Sequence, residues 1–122
     1  MFLIYLLIIA EERGAMNYKY DHFGIPVKHK MEGMVYVAEY RVWCSDYEKD
    51  PYRIEWIFFE NGSKFHPLIQ NIPHVCFLVK DIEKAVLGKK ILLPPTHDQN
   101  YCMAFIEEKG VPIEFIMYRD KS

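Results

Sequence analysis

Two stretches of the chain repeat one another, and this repeat constrains the fold more than any other feature. Segment 21–27 (DHFGIPV) is matched by segment 73–79 (PHVCFLV). Downstream of each histidine lies an Ile-Glu-aromatic triplet, at 54–56 in the first half and 113–115 in the second. Each half therefore offers one histidine near the start of an apolar strand and one glutamate inside a later strand. If the halves pack face to face, two imidazoles and two carboxylates meet in the interior.

Strand-like runs separated by turn signals fill the rest of the chain. Aromatic and β-branched residues predict strands at 20–27, 34–45, 52–60, 73–80, 90–93, 101–107 and 111–118, with 34–45 either one long strand or two joined by a bend. Asp81 is predicted to cap a short helix that ends at Gly88. Pro94-Pro95 is expected to stop the strand before it, and 65–72 is expected to be an irregular linker.

The order of these elements predicts an α+β fold in one domain, residues 17–122. The second half, about 73–119, is of the βαβββ type. The first half, about 17–66, has the same order without the helix, because residues 28–33 are too few for a helix and its turns. The two modules are expected to form one cupped mixed sheet.

Residues 1–16 form an apolar N-terminal extension. The first ten residues are all apolar, but a helix needs about 20 to cross a bilayer. No basic region or small-residue cleavage site suggests a signal peptide. We favour an over-called start, with residues 1–15 non-native and Met16 as the true start. An extra edge strand, an oligomer contact or a single-pass anchor are the alternatives.

Composition excludes several classes of partner. The net charge of −2 and the lack of a Lys/Arg run argue against nucleic acids and anionic membranes as partners. Three cysteines without a C-x-x-C spacing fit reduced thiols in a cytoplasmic protein. The expected partner is therefore a small-molecule substrate, and a homodimer is left open.

The repeated histidines and glutamates predict a metal site. Strands alternate faces, so His22, His74, Glu55 and Glu114 share their faces with apolar residues. A carboxylate on such a face requires a cation, a proton or hydrogen-bond donors. Two imidazoles and two carboxylates suit a divalent Zn, Ni, Co, Mn or Fe ion. Cys76 is expected to line the site, and His29, His66 and His97 to lie on the surface.

These residues resemble the vicinal oxygen chelate superfamily, which includes glyoxalase I, bleomycin-resistance proteins and extradiol dioxygenases. The matching pieces are the strands around His22 and His74, the helix at 81–85 and the final strand at 111–115. The resemblance implies paired βαβββ modules around a divalent metal held by His22, Glu55, His74 and Glu114. In the family's iron dioxygenases, only the two histidines and the last glutamate bind the metal.

The resemblance favours a metal-dependent lyase or isomerase acting on a small substrate with adjacent oxygens. Such an enzyme stabilises an enediolate-like intermediate, and Glu114 or Glu55 moves a proton as the catalytic base. One alternative is a metal-free module that sequesters an aromatic compound. The other is an iron ring-cleaving dioxygenase that uses His22, His74 and Glu114. The lack of an evident arginine cluster for glutathione argues against glyoxalase I itself.

Overall fold

The computed structural model of the protein describes residues 18–98 and 100–119. The predicted extension at 1–16 lies outside the described residues. In the described part of the chain, no helix is both long enough and apolar enough to span a membrane.

Eight strands and two short helices succeed one another over the described ranges. They are β1 (Lys19–Val27), β2 (Val35–Val37), β3 (Val42–Cys44), β4 (Ile54–Phe59), α1 (Pro67–Asn71), β5 (His74–Leu78), α2 (Ile82–Val86), β6 (Lys90–His97), β7 (Tyr101–Glu108) and β8 (Val111–Tyr118). A single 3₁₀ turn at Tyr47–Lys49 precedes β4.

All eight strands belong to one curled, mixed sheet in the order β2-β3-β4-β1-β5-β8-β7-β6. In the first half, β1 pairs in parallel with β4, and β4-β3-β2 continue antiparallel. In the second half, β5 pairs in parallel with β8, and β8-β7-β6 continue antiparallel. The antiparallel pair β1-β5 joins the halves at the centre. The predicted mixed sheet with little helix is confirmed.

The sheet buries both of its faces in the second half. Along β7, Cys102, Ala104 and Ile106 pack on one face against α2, whereas Met103 and Phe105 pack on the other. This alternation follows from the two-residue period of a strand. The face opposite α2 is the concave one, and it carries the candidate site described below.

The connection between β1 and β2 lacks a helix, as predicted, and α2 has the predicted cap. Residues 28–34 contain no helix. The Asp81 side chain accepts a hydrogen bond from the Lys84 amide, and Gly88 follows α2 with φ of +73°. A glycine adopts this left-handed conformation without the steric cost that a side chain imposes.

One open alternative is decided by the structure, and two predicted boundaries differ from it. The run 34–45 is two three-residue strands joined by a turn, the second of the two forms considered. The predicted stop at Pro94-Pro95 is wrong, because β6 runs on to His97 with two register shifts. It is an edge strand, where a missing amide is tolerated. The linker 65–72 contains α1, which begins with Pro67 at its first position, where proline is favoured.

Candidate metal site

The four predicted residues converge on one point of the concave face. Nε2 of His22 lies 3.6 Å from Oε1 of Glu55 and 3.3 Å from Oε1 of Glu114. The same Glu114 oxygen lies 3.0 Å from Nε2 of His74. Glu55, His22 and His74 offer ligand atoms that all lie within 4.8 Å of one another. The side chains come from β1, β4, β5 and β8, the four central strands of the sheet.

Sheet register explains this convergence. Gly24 of β1 is paired with Glu55 on one side and with His74 on the other, and Cys76 of β5 is paired with both His22 and Glu114. The two parallel pairs place each glutamate beside the histidine strand of its own half. The antiparallel pair β1-β5 then brings the two halves together.

A bulge in β1 places a fifth side chain in the site. The β1-β5 register shifts between Tyr20 and His22, so Asp21 is the extra residue. A regular strand would send neighbouring side chains to opposite faces, whereas here both Asp21 and His22 are buried. Oδ2 of Asp21 accepts a hydrogen bond from Nδ1 of His22 at 2.7 Å.

Asp21 and Tyr47 fix the orientation of the His22 ring. A carboxylate only accepts, so Nδ1 of His22 carries the proton and the Nε2 atom faces the glutamates. The Tyr47 ring stacks on the imidazole with centroids 4.1 Å apart. Arg53 in turn holds Asp21, because its guanidinium donates to the backbone oxygen and to the carboxylate of Asp21. Within the described residues, Nε2 of His22 is buried and makes no hydrogen bond.

Gly24 makes room for His74. A Cβ atom at position 24 would lie only 2.2 Å from Cε1 of His74, so the imidazole rests directly on the glycine backbone. The Phe105 ring closes the other side in an edge contact, with centroids 4.9 Å apart. His74 is only 1% exposed and therefore has little freedom to move.

The titration behaviour of the two glutamates differs. Burial raises the pKa of Glu55 to about 7, and the neighbouring charge of Glu114 acts in the same direction. Burial also opposes ionisation of Glu114, but contacts with His22 and His74 outweigh it and lower the pKa of Glu114 to about 2. One carboxyl is thus a permanent anion at neutral pH, and the other exchanges a proton near neutrality.

His22 holds a proton strongly in the absence of a metal. Burial on its own lowers the pKa of an imidazole, but Glu114, then Glu55 and Asp21, outweigh burial and raise the pKa of His22 to about 9. A divalent cation stabilises the same pair of carboxylates that this proton stabilises. The site therefore has the charge and the donor atoms that a divalent metal requires.

A cavity of about 210 Å³ opens above these residues. The four site residues line it from the four central strands of the sheet, and we call them its floor. The other lining residues, its walls, are mostly aromatic and aliphatic, including Phe59, Phe65, Phe105, Ile57, Met103 and Ile116. Concave apolar pockets with a few polar groups are typical of small-molecule sites.

The remaining predicted residues lie outside the cavity. Cys76 is fully buried and, as expected, lies beside the site, with its thiol near Asp21 and His22, although it does not line the cavity itself. Burial raises the pKa of the Cys76 thiol, which disfavours the thiolate that binds metals. His29, His66 and His97 are exposed, as predicted. His66 caps α1, and Nδ1 of His97 contacts the Cys102 thiol at 3.3 Å.

Sequence reasoning missed three residues of the site. Asp21 was assigned no role because regular alternation places it opposite His22. The sequence held one signal for Gly24, since a glycine inside a strand often marks a close approach of another group. Tyr47 lies between the predicted strands 34–45 and 52–60, and nothing in its sequence context indicated a stacking role.

Comparisons with known proteins add information on the fold alone. No protein-family model matches the chain, and no curated protein matches it. Among solved structures, the chain is similar to hypothetical protein BH1468 from Bacillus halodurans C-125, with a TM-score of 0.59 and 20% sequence identity. The similarity covers 86% of this chain and 97% of that chain. A bacterial protein of similar length therefore shares the fold.

Proposed function

We propose that the protein is a metal-dependent lyase or isomerase of the glyoxalase type, acting on a small substrate with two adjacent oxygens. The observation that carries this proposal is the convergence of His22, Glu55, His74 and Glu114 at the floor of an apolar cavity. Buried carboxylates are costly without compensation, and four metal-type donors in one place are consistent with a cation site.

The proposed family relationship also explains why the two halves of the sheet have the same strand pairing. We regard the two halves as degenerate βαβββ modules of the vicinal oxygen chelate type, the first without its helix. In support, each half has a parallel pair between its first and last strands, followed by two antiparallel neighbours. The histidine and glutamate of each half occupy equivalent strands of this pattern.

The four side chains fit a divalent metal. His22 would bind through Nε2, the buried atom that Asp21 leaves facing the site. Asp21 then has the role of the carboxylate that commonly orients a metal-bound histidine. A bound metal would supply Lewis-acid stabilisation of negative charge on the substrate oxygens.

Glu55 is the better candidate for the catalytic base. Its carboxylate contacts one imidazole, with Oε1 3.6 Å from Nε2 of His22, so it is held less firmly than Glu114 and is freer to reach a substrate proton. Glu114 contacts both histidines and remains ionised, which suits a ligand that stays in place. In this assignment Glu55 removes the proton next to the substrate carbonyl and returns it on the other side of the reacting bond.

One observation favours a second function. The cavity walls carry several aromatic rings, which suits a metal-free module that sequesters an aromatic compound. Metal dependence separates the two proposals. If an aromatic ligand binds with the same affinity in chelator and in saturating metal, the sequestering function is correct.

Replacement of Glu55 by Gln tests the enzyme proposal. The four-ligand site should lose most of its metal affinity, measured by calorimetry with Mn²⁺, Co²⁺, Ni²⁺ or Zn²⁺. If the metal is instead iron held by His22, His74 and Glu114 alone, the variant should keep its metal affinity. With metal-loaded wild type in D₂O, we expect the CH₂ protons of 2-hydroxyacetophenone to exchange for deuterium, and we expect the Glu55→Gln variant to lose this exchange. Retained metal affinity and retained exchange in the variant would contradict the role given to Glu55.

A further inference from the structure

The cavity confines its charged groups to the floor. Glu55, Glu114, His22 and His74 lie there, and no lysine or arginine lies among the described residues that line the cavity. A ligand that enters head first therefore meets charges only at its head. Whatever part of the ligand lies beyond the floor contacts uncharged walls.

The tyrosines of the cavity do not alter this distribution. Burial raises the pKa of Tyr101 to about 12, and burial also raises the pKa of Tyr40 and Tyr118. Their phenols are neutral near pH 7 and are already engaged in part, since Tyr47 interacts with Asp21 and Tyr118. They do not supply a counter-charge for an ionised ligand group.

A charged substituent on the ligand would thus lose its water without gaining a partner. An uncharged hydrocarbon part would instead pack against Phe59, Phe65 and Phe105. The cavity, at about 210 Å³, is smaller than the roughly 300–1,000 Å³ of typical drug-sized pockets.

We infer that the substrate is a small, uncharged molecule, with two adjacent oxygens at one end and an apolar, preferably aromatic, remainder of about one ring. This inference rests on the proposed function for the oxygen-bearing end, and on the distribution of charge in the cavity for the remainder. It excludes substrates that carry a phosphate or a carboxylate away from the reacting oxygens.

Four related probes test the two parts separately. They are 2-hydroxyacetophenone, hydroxyacetone (no ring), acetophenone (no hydroxyl) and 4-(hydroxyacetyl)benzoate (ring with a carboxylate). Calorimetry with the metal-loaded protein should give at least tenfold tighter binding for 2-hydroxyacetophenone than for each of the other three. The same titration in chelator should weaken its binding by at least tenfold.

A lysine placed at the cavity wall provides the matched variant. Val37 lines the cavity and is 38% exposed on the edge strand β2, so Val37→Lys should be tolerated. It should improve binding of 4-(hydroxyacetyl)benzoate by at least fivefold. Val35 lies two residues away on the same strand, is 67% exposed and does not line the cavity. Val35→Lys should leave binding of the carboxylated probe unchanged.

The outcomes distinguish the inference from the proposed function. If the carboxylated probe binds wild type as tightly as the neutral probe, and both require metal, the inference is wrong and the proposed function stands. If 2-hydroxyacetophenone and acetophenone bind equally well with or without metal, and both bind more tightly than the carboxylated probe, the proposed function is wrong. The inference of an uncharged, apolar ligand body then still holds. Failure of 2-hydroxyacetophenone to bind at millimolar concentration would overturn the inference.

Discussion

At the scale of single residues, the candidate site consists of four donors and the groups that hold them in place. The donors could be predicted because each lies on an otherwise apolar strand face, in a repeated position. The groups that hold them could not, since they depend on irregular backbone. Asp21 reaches His22 only through a bulge, and His74 fits only because Gly24 has no side chain.

Replacement of Asp21 by Asn tests the orientation of His22. The amide can point its NH₂ group at Nδ1 and so favour the wrong tautomer, with Nε2 protonated. Loss of such a supporting carboxylate typically costs about 10–100-fold in metal affinity. We expect this loss in a calorimetric zinc titration, together with a changed His22 ¹⁵N chemical-shift pattern in the metal-free protein above pH 9, where the imidazole is neutral. Glu83→Gln, which changes an exposed carboxylate on α2, is the control. Unchanged affinity and tautomer for Asp21→Asn would contradict the assigned role.

Gly24→Ala tests the close packing of His74. The added methyl group would overlap the imidazole, so the ring must move, and overpacking of this kind costs roughly 1–3 kcal/mol in stability. Both the metal affinity and the free energy of unfolding should therefore fall. Gly33→Ala is the matched comparison, because Gly33 has φ of +85° in open space. It should lose roughly 1 kcal/mol through backbone strain alone and keep its metal affinity. Equal metal affinity in both variants would contradict the role of Gly24.

The pH dependence of the metal-free protein follows from His22 and Glu55. The pKa of His22 rises on folding from 6.5 to about 9, so its stabilisation is complete below pH 6.5 and is lost towards pH 9. The pKa of Glu55 rises from 4.5 to about 7, so its contribution falls between those values. Urea denaturation should show an unfolding free energy that decreases from pH 5 to pH 9. His22→Gln should flatten the decrease above pH 6.5. A rise over this interval in wild type would contradict the assignment.

The same protons oppose metal binding. A metal ligand must be deprotonated, so binding should release protons from His22 and, at lower pH, from Glu55. Apparent zinc affinity should therefore increase between pH 6 and pH 9. Calorimetry in buffers of different ionisation enthalpy measures the number of protons released. An affinity independent of pH in this range would mean that neither group is a ligand.

At the scale of elements, local sequence signals were accurate where they concern a cap or a turn. Asp81 caps α2 as predicted, and the turn at Lys109-Gly110 joins β7 to β8, with both residues at positive φ. The signals failed where tertiary pairing overrides them. Pro94-Pro95 did not end β6, because the register shift between Leu93 and Thr96 accommodates both prolines in a bulge of this edge strand. Pro26 is tolerated within β1 because it lies beyond Gly24, the last residue of β1 that pairs with β5.

Asp81→Ala separates the stability of α2 from the site. Removal of the cap should lower the unfolding free energy by about 1 kcal/mol, because the Lys84 amide loses its acceptor. The helix packs on the face opposite the cavity, so zinc affinity should not change. Thermal unfolding and a zinc titration measure the two effects. A loss of zinc affinity comparable to that of a ligand variant would mean that α2 and the site are coupled.

At the scale of the whole molecule, the repeat predicted the sheet and the meeting point of its halves. It could do so because strand register propagates across a sheet: once β1 and β5 pair, Glu55 and Glu114 are carried to the same point as the histidines. The depth and composition of the cavity could not be predicted. They depend on Tyr40 and Phe65, which stack across the concave face from a turn and from the linker.

The number of divalent ions bound per chain by wild type and by His74→Ala decides whether the four side chains form a metal site. After removal of metal by chelator, the proteins are titrated with Zn²⁺ and analysed by native mass spectrometry, with circular dichroism as a check of the fold. We predict one ion per wild-type chain and none for His74→Ala, with both proteins folded. Absence of zinc on wild type, or the same binding by the folded variant, would contradict the metal site.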